Sequence, residues 1–111
     1  MSLADRQCVP CKGGVPPLDA KAMAPLLAQL DAWQVVDNHH LSKRYALKNF
    51  VQALDLVNRI GAIAEEQNHH PDIFLAWGKV GVEIWTHTIN GLTESDFVFA
   101  AKCDRAFAAI G

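Results

Sequence analysis

Apolar residues along this chain switch four times between helical and strand spacing. Behind Asp19, which can cap a helix, Met23, Leu26, Leu27 and Leu30 recur at helical intervals, so residues 19–30 are expected to form a helix. Pro25 is a local blemish that would move the true start later. Trp33-Gln34-Val35-Val36 reads as a short strand and Asp37-Asn38-His39-His40 as a turn. Residues 41–47 form the returning strand, with Leu41, Tyr45 and Leu47 on one face and Ser42, Arg44 and Ala46 on the other.

Asn49 is a good cap for the longest helix, expected from Phe50 to about Asn68. Phe50, Ala53, Leu54, Val57, Gly61 and Ala64 make one stripe on it, and Leu56, Ile60 and Ile63 a second beside it. Together they cover about half the circumference, wider than one docking face requires, so one stripe is expected on the sheet and the other against a second subunit. Residues 72–77, a tight turn at Gly78-Lys79 and residues 80–88 follow as a hairpin, with Val80, Val82 and Ile84 on one side and Gly81, Glu83, Trp85 and His87 on the other. Thr93-Glu94-Ser95-Asp96 opens the last helix in a pattern close to a capping box, with Asp in place of the usual Glu. Two hairpins separated by a long helix give an α+β fold: a four-stranded antiparallel sheet with three helices on one face, in the order α-β-β-α-β-β-α.

Composition narrows the function classes. The chain has 111 residues and a net charge of −2, enough for one domain and one modest core. Residues 1–17 carry Pro10, Gly13, Gly14, Pro16 and Pro17 and read as an irregular arm; residues 18–111 make the domain. No basic run favours nucleic acid, and no apolar stretch reaches the ~20 residues of a membrane span. The first residues lack the apolar core of a secretory signal, so a cytoplasmic protein is expected. Cys8, Cys11 and Cys103 are an odd number, which argues against a disulfide framework; Cys8 and Cys11 have the spacing of half a zinc site with no second pair, and read as reduced thiols on a loose arm.

The chemistry concentrates in Glu65-Glu66-Gln67-Asn68-His69-His70-Pro71. Pro71 pushes His70 out of the helical region, so the helix should end at about His69 and the two imidazoles should be aimed differently. Glu65 lies four residues before His69 and is expected to touch it. A hairpin turning at Gly78-Lys79 would return His87 to a position opposite His70. Three imidazoles and a carboxylate would then share one end of the sheet. Two chemistries fit: a zinc site, and a metal-free acid/base pocket, the latter favoured because adjacent histidines point apart. His39 and His40 lie in a turn and are expected to be exposed.

Glu65-x3-His69-His70-Pro71, then Trp77, His87 and Asp96 at their spacing, resembles the signature of the pterin-4a-carbinolamine dehydratases. The likeness spans roughly residues 18–110 and takes in Trp33, the Tyr45, Leu47 and Phe50 positions and the Gly91-Leu92-Thr93 entry to the last helix. Asn68 departs from it, where some members carry Asp. The resemblance implies dehydration of 4a-hydroxytetrahydrobiopterin to the quinonoid dihydropterin, in support of tetrahydropterin recycling, with no metal and no cofactor. It implies His69 and His87 as the proton-exchanging groups, His70 as a third catalytic histidine that orients the substrate, and Glu65, Trp33, Trp77 and Asp96 as substrate-binding positions. Each of the last three has a plainer role open to it: a core aromatic for Trp33, hairpin packing for Trp77, service to a helix N-terminus for Asp96. The implied partners are a second copy of the chain, as homodimer or homotetramer, and a functional link to phenylalanine hydroxylase. Relatives of this fold also act as dimerisation partners of a transcription factor or as enzyme-assembly factors, so a coactivator or assembly module is the alternative.

Overall fold

The computed structural model of the protein describes residues 2–8 and 16–110. After a short 3-10 turn at Leu3–Asp5 come α1 (Ala20–Leu27), β1 (Gln34–Val36), β2 (His40–Ala46), α2 (Phe50–Gln67), β3 (Asp72–Ala76), β4 (Lys79–Ile84) and α3 (Glu94–Ala108). The strands form one antiparallel sheet in the order β1-β2-β4-β3. This is the expected α+β architecture.

Local chemistry sets the element ends. Asp19 caps α1 by accepting the Ala22 N–H at 2.8 Å, and Pro25 sits inside the helix, so the proline shifts nothing at its start. Asn49 caps α2 through the Gln52 N–H at 2.9 Å. Thr93 and Asp96 complete the capping box of α3, each side chain accepting the other's backbone N–H. The core lies between sheet and helices: Leu41, Tyr45, Val80, Val82 and Ile84 from the strands meet Ala53, Leu56 and Ile60 from α2 and Phe97, Val98 and Phe99 from α3, all buried.

Four expectations change. On α2 the buried line is Ala53, Leu56, Ile60 and Ala64, drawn from both predicted stripes, with Gln67 added to it, while Phe50, Val51 and Leu54 stay exposed. The N-terminal arm is not loose at its start: Leu3 enters the core, Asp5 pairs with Arg105 at 2.8 Å, and Lys102 donates to the Ala4 carbonyl at 2.9 Å. The hairpin turns at Trp77-Gly78, because Gly78 supplies the positive φ of 68° that the second central residue needs. Ala76 therefore pairs with Lys79 and Asp72 with Glu83. The position across from His70 is Trp85, two residues short of His87. The strand also ends early, at Ile84 instead of Thr88.

Candidate active site

At one end of the sheet β2 and β3 begin and β4 ends, and that end carries all five histidines of the chain. The His-His-Pro segment reaches it through a tight break in the backbone. Asn68 adopts the left-handed conformation (φ 51°, ψ 45°), which Asn tolerates better than most residues. The His69 N–H then reaches back to the Ala64 carbonyl at 3.1 Å, the six-to-one bond of a Schellman motif. The break turns His69 inward and leaves His70 outside.

His69 Nε2 lies 2.6 Å from Asp96 Oδ1, and Asp96 is fully buried. The other carboxylate oxygen accepts the Thr86 hydroxyl at 2.8 Å and the Thr93 N–H at 2.8 Å. Asp96 opens the first turn of α3, where the helix dipole and the free N–H groups favour an anion. A carboxylate acceptor fixes the proton of His69 on Nε2 and leaves Nδ1 as the nitrogen able to exchange one. Phe99 packs its edge against the imidazole at 5.9 Å between centroids.

His70 Nε2 pairs with Glu65 Oε2 at 2.6 Å, and both side chains are more than half exposed. The expected Glu65–His69 contact is thus corrected. Spacing of four residues juxtaposes side chains only while both are helical, and Asn68 has already redirected the chain.

His87 stands in the turn of residues 87–90, closed by the Thr86–Gly91 bridge, and is exposed. Its ring stacks on Trp85 with centroids 4.5 Å apart and planes 18° apart. The connection to His69 runs through Thr86: its hydroxyl bonds the carboxylate that holds His69, and the next residue along the chain is His87. Sequence reasoning passed over Thr86; the available signal was a hydroxyl residue beside the motif histidine, two places after the last inward aliphatic residue.

Two of the remaining motif positions stand elsewhere. Trp33 is buried, donates its indole N–H to Asp104 Oδ1 at 3.1 Å and meets Tyr45 edge-on at 6.3 Å. Asp104 is eight residues beyond Asp96 on α3, about 12 Å along the axis. Trp77 is exposed at the tip of the β3–β4 hairpin, at the other end of β3 from His70. His39 and His40 correct the expectation of exposure. They are half-buried, share a 3.0 Å contact between their Nδ1 atoms, and lie beside Trp85.

Among the described residues, no group of three or more His, Cys, Asp or Glu side chains is arranged to hold a metal ion. Cys8 is half-buried on the N-terminal arm, its N–H on Gln67 Oε1 at 2.8 Å and its thiol 3.5 Å from the Ser95 carbonyl. Burial pushes that thiol up to about 11. Cys11, the second of the two thiols read as reduced on the arm, falls outside the described residues. No helix among the described residues is long and apolar enough to cross a membrane.

Residues 16–106 match the family described as pterin 4 alpha carbinolamine dehydratase. A Rubrobacter xylanophilus protein is 59% identical over 93% of this chain and 96% of its own. One from Rickettsia canadensis is 54% identical over 92% and 94%; each bears the name "putative pterin-4-alpha-carbinolamine dehydratase". Among solved structures, a transcriptional coactivator/pterin dehydratase from Brucella melitensis superposes with a TM-score of 0.78 at 32% identity, covering 86% of this chain and 99% of that one. A pterin dehydratase-like RuBisCO assembly factor of the alpha-carboxysome shares the fold, with a TM-score of 0.61 at 24% identity over 69% of this chain and 90% of that one. With the family match spanning most of its length and relatives this close, the chain belongs to the pterin-4a-carbinolamine dehydratase family.

Proposed function

We propose that this protein removes water from 4a-hydroxytetrahydrobiopterin by histidine acid/base catalysis, giving the quinonoid dihydropterin and so supporting tetrahydropterin recycling. The C4a–O bond breaks as its hydroxyl accepts a proton and leaves as water. The N5–H proton passes to a base, and the N5 lone pair closes the C4a=N5 double bond. Each step asks for a group that gains or loses a proton near neutral pH, which imidazoles do. The observation that carries this reading is the buried Asp96 holding His69 by Nε2. A neutral His69 then offers Nδ1 as base, and the imidazolium that forms is stabilised by the carboxylate behind it. His87 supplies the second proton-exchanging ring, and His70, held by Glu65, orients the pterin. Trp33, buried and bonded to Asp104, fits a structural role better than pterin contact, and Trp77 stands exposed at the other end of β3 from His70.

The test is turnover of enzymatically generated 4a-hydroxytetrahydropterin, followed by ultraviolet absorbance, for the wild type and His70→Ala, with EDTA in parallel. A rate well above the spontaneous one, insensitive to EDTA and lost in the variant, is the expected result. A folded wild type that gives no acceleration would refute the enzyme reading, and loss of activity with EDTA would restore the zinc reading.

A second reading, a coactivator or enzyme-assembly module on the same fold, is favoured by Phe50, Val51 and Leu54 left exposed on α2. The same surface suits self-association into a homodimer or homotetramer. Sedimentation of the wild type and Leu54→Glu separates these uses, since self-association through α2 predicts dissociation of the variant with dehydratase turnover retained. The metabolic neighbour of the first reading is a pterin-dependent hydroxylase such as phenylalanine hydroxylase.

A further inference from the structure

The loop that carries His87 is held from two sides. One side is the Thr86–Asp96 bond already described. The other is built by the β1–β2 turn. Asp37 and Asn38 both take positive φ (54° and 53°), the pattern of a type I′ turn, and the His39 N–H closes it on the Val36 carbonyl at 2.8 Å. That turn brings His39 across to the next loop. Its Nε2 lies 2.9 Å from Asn90 Oδ1, at the far end of the turn that begins with His87. Its ring lies 5.1 Å from Trp85, the residue on which His87 stacks.

His40 braces the arrangement from β2. Its Nδ1 is 3.0 Å from that of His39, so one of the two nitrogens carries the proton that the other accepts. Its Nε2 lies 3.3 Å from Glu83 of β4, and its ring is 5.9 Å from Trp85. Residues 85 and 90, on either side of His87, are thus both gripped by one histidine pair.

We propose that His39 and His40 form a clasp that positions His87 for proton exchange, acting through Trp85 and Asn90. They are positioning residues: neither reaches the substrate in this account. The inference rests on the dehydratase reading for its consequence and on the geometry alone for the clasp. One hydrogen-bonding contact to Asn90 and two ring contacts to Trp85 reach this short loop from a histidine pair whose rings are tied to each other and, through His40, to Glu83, and they bear on the indole against which the His87 imidazole lies. Orientation of that kind governs proton-transfer rates, since a displacement of about 1 Å can cost on the order of 100-fold.

The experiment pairs NMR of the His87 ring with kinetics, in the full chain and in His39→Gln, His40→Gln and Asn90→Gly. The glycine keeps the left-handed backbone of Asn90 (φ 56°) while deleting its amide. Trp85→Leu serves as the reference for a lost stack, and thermal melts confirm folding. In the wild type the indole ring current should hold the His87 ring protons upfield. In the three clasp variants these resonances should relax part of the way toward their Trp85→Leu positions. With them kcat should fall roughly tenfold and KM should change little. Trp85→Phe, which keeps an aromatic face, should recover most of the rate lost in Trp85→Leu. Unmoved His87 resonances in His39→Gln and His40→Gln would overturn the clasp; resonances that move with kcat unchanged would overturn its role in the reaction. Absence of turnover in the wild type would instead defeat the dehydratase reading, and the resonances would still decide whether the clasp sets the ring.

Discussion

Two carboxylates on one face of α3 meet different fates. Asp96, in its first turn, is fully buried and spends its oxygens on His69, Thr86 and the Thr93 N–H. Asp104, two turns on, collects the Tyr45 hydroxyl at 2.7 Å, the Lys43 ammonium at 2.7 Å and the Trp33 indole N–H. Both accept donors brought in from the sheet and the loops: His69 and Thr86 for Asp96, and Trp33, Lys43, Tyr45 and the Asp31 N–H for Asp104. Only Asp96 holds an imidazole, a ring that can both donate and accept a proton. Asp104 holds an indole, an ammonium and a phenol, and burial, with the neighbouring charge of Asp104, pushes the Tyr45 hydroxyl far above its usual value. Burial of a charge alone therefore does not mark a site; the protonation chemistry of its partner does.

The comparison makes graded predictions. The largest effect is expected at Asp96: Asp96→Asn keeps the shape but turns a carboxylate acceptor into an amide, and kcat should fall by roughly 100-fold. Thr86→Val leaves one oxygen of the same carboxylate short of a donor and should cost about tenfold in kcat, with Thr86→Ser restoring most of it. Asp104→Asn should behave in the opposite sense. It should lower the stability of the fold by about 2 kcal/mol in urea titrations, through Lys43 left buried without its anion, with kcat of the folded protein unchanged.

Tyr45 sharpens the same contrast by pH. It is the only tyrosine, so phenolate absorbance reports it alone. Its pKa is raised in the folded state above the unfolded value near 10, by burial first, with Cys103 and then Asp104 adding to it. Its contribution to stability is therefore complete below about pH 10 and is lost as pH rises further, when only the unfolded chain ionises. Alkaline unfolding and phenolate appearance should coincide; a phenolate that forms in the folded protein would contradict this. The smallest effect belongs to Glu65→Gln, which should change kcat less than about threefold, because solvent screens a pair this exposed.

The sequence disclosed more of the fold than of the site. The three helix caps were legible because each is a local bond from a side chain to a backbone N–H within three residues: Asp19, Asn49 and Thr93 with Asp96. The sheet faces were legible because alternation in β4 matches burial residue by residue, and in β2 Leu41 and Tyr45 are buried while Arg44 and Ala46 are exposed. Register was not. Gly78 could serve either place in a two-residue turn, and choosing the wrong one displaced every pair and set His87 opposite His70. Glu65 was matched to the wrong histidine because one left-handed residue, Asn68, undoes helical spacing. His39 and His40 looked idle because their partners, Trp85 and Asn90, are more than forty residues away and no local pattern announces them. The motif positions Trp33 and Asp96 look alike in a signature; only the three-dimensional partners separate a core tryptophan bonded to Asp104 from a carboxylate bonded to His69.

The most direct measurement is kcat for dehydration of 4a-hydroxytetrahydropterin by Asp96→Asn and Asp104→Asn side by side, each corrected for the folded fraction at the assay temperature. The account predicts a fall of roughly 100-fold for the first and wild-type kcat for the second. Equal losses in the two variants, or a larger loss in Asp104→Asn, would contradict the claim that the His69–Asp96 pair does the proton chemistry.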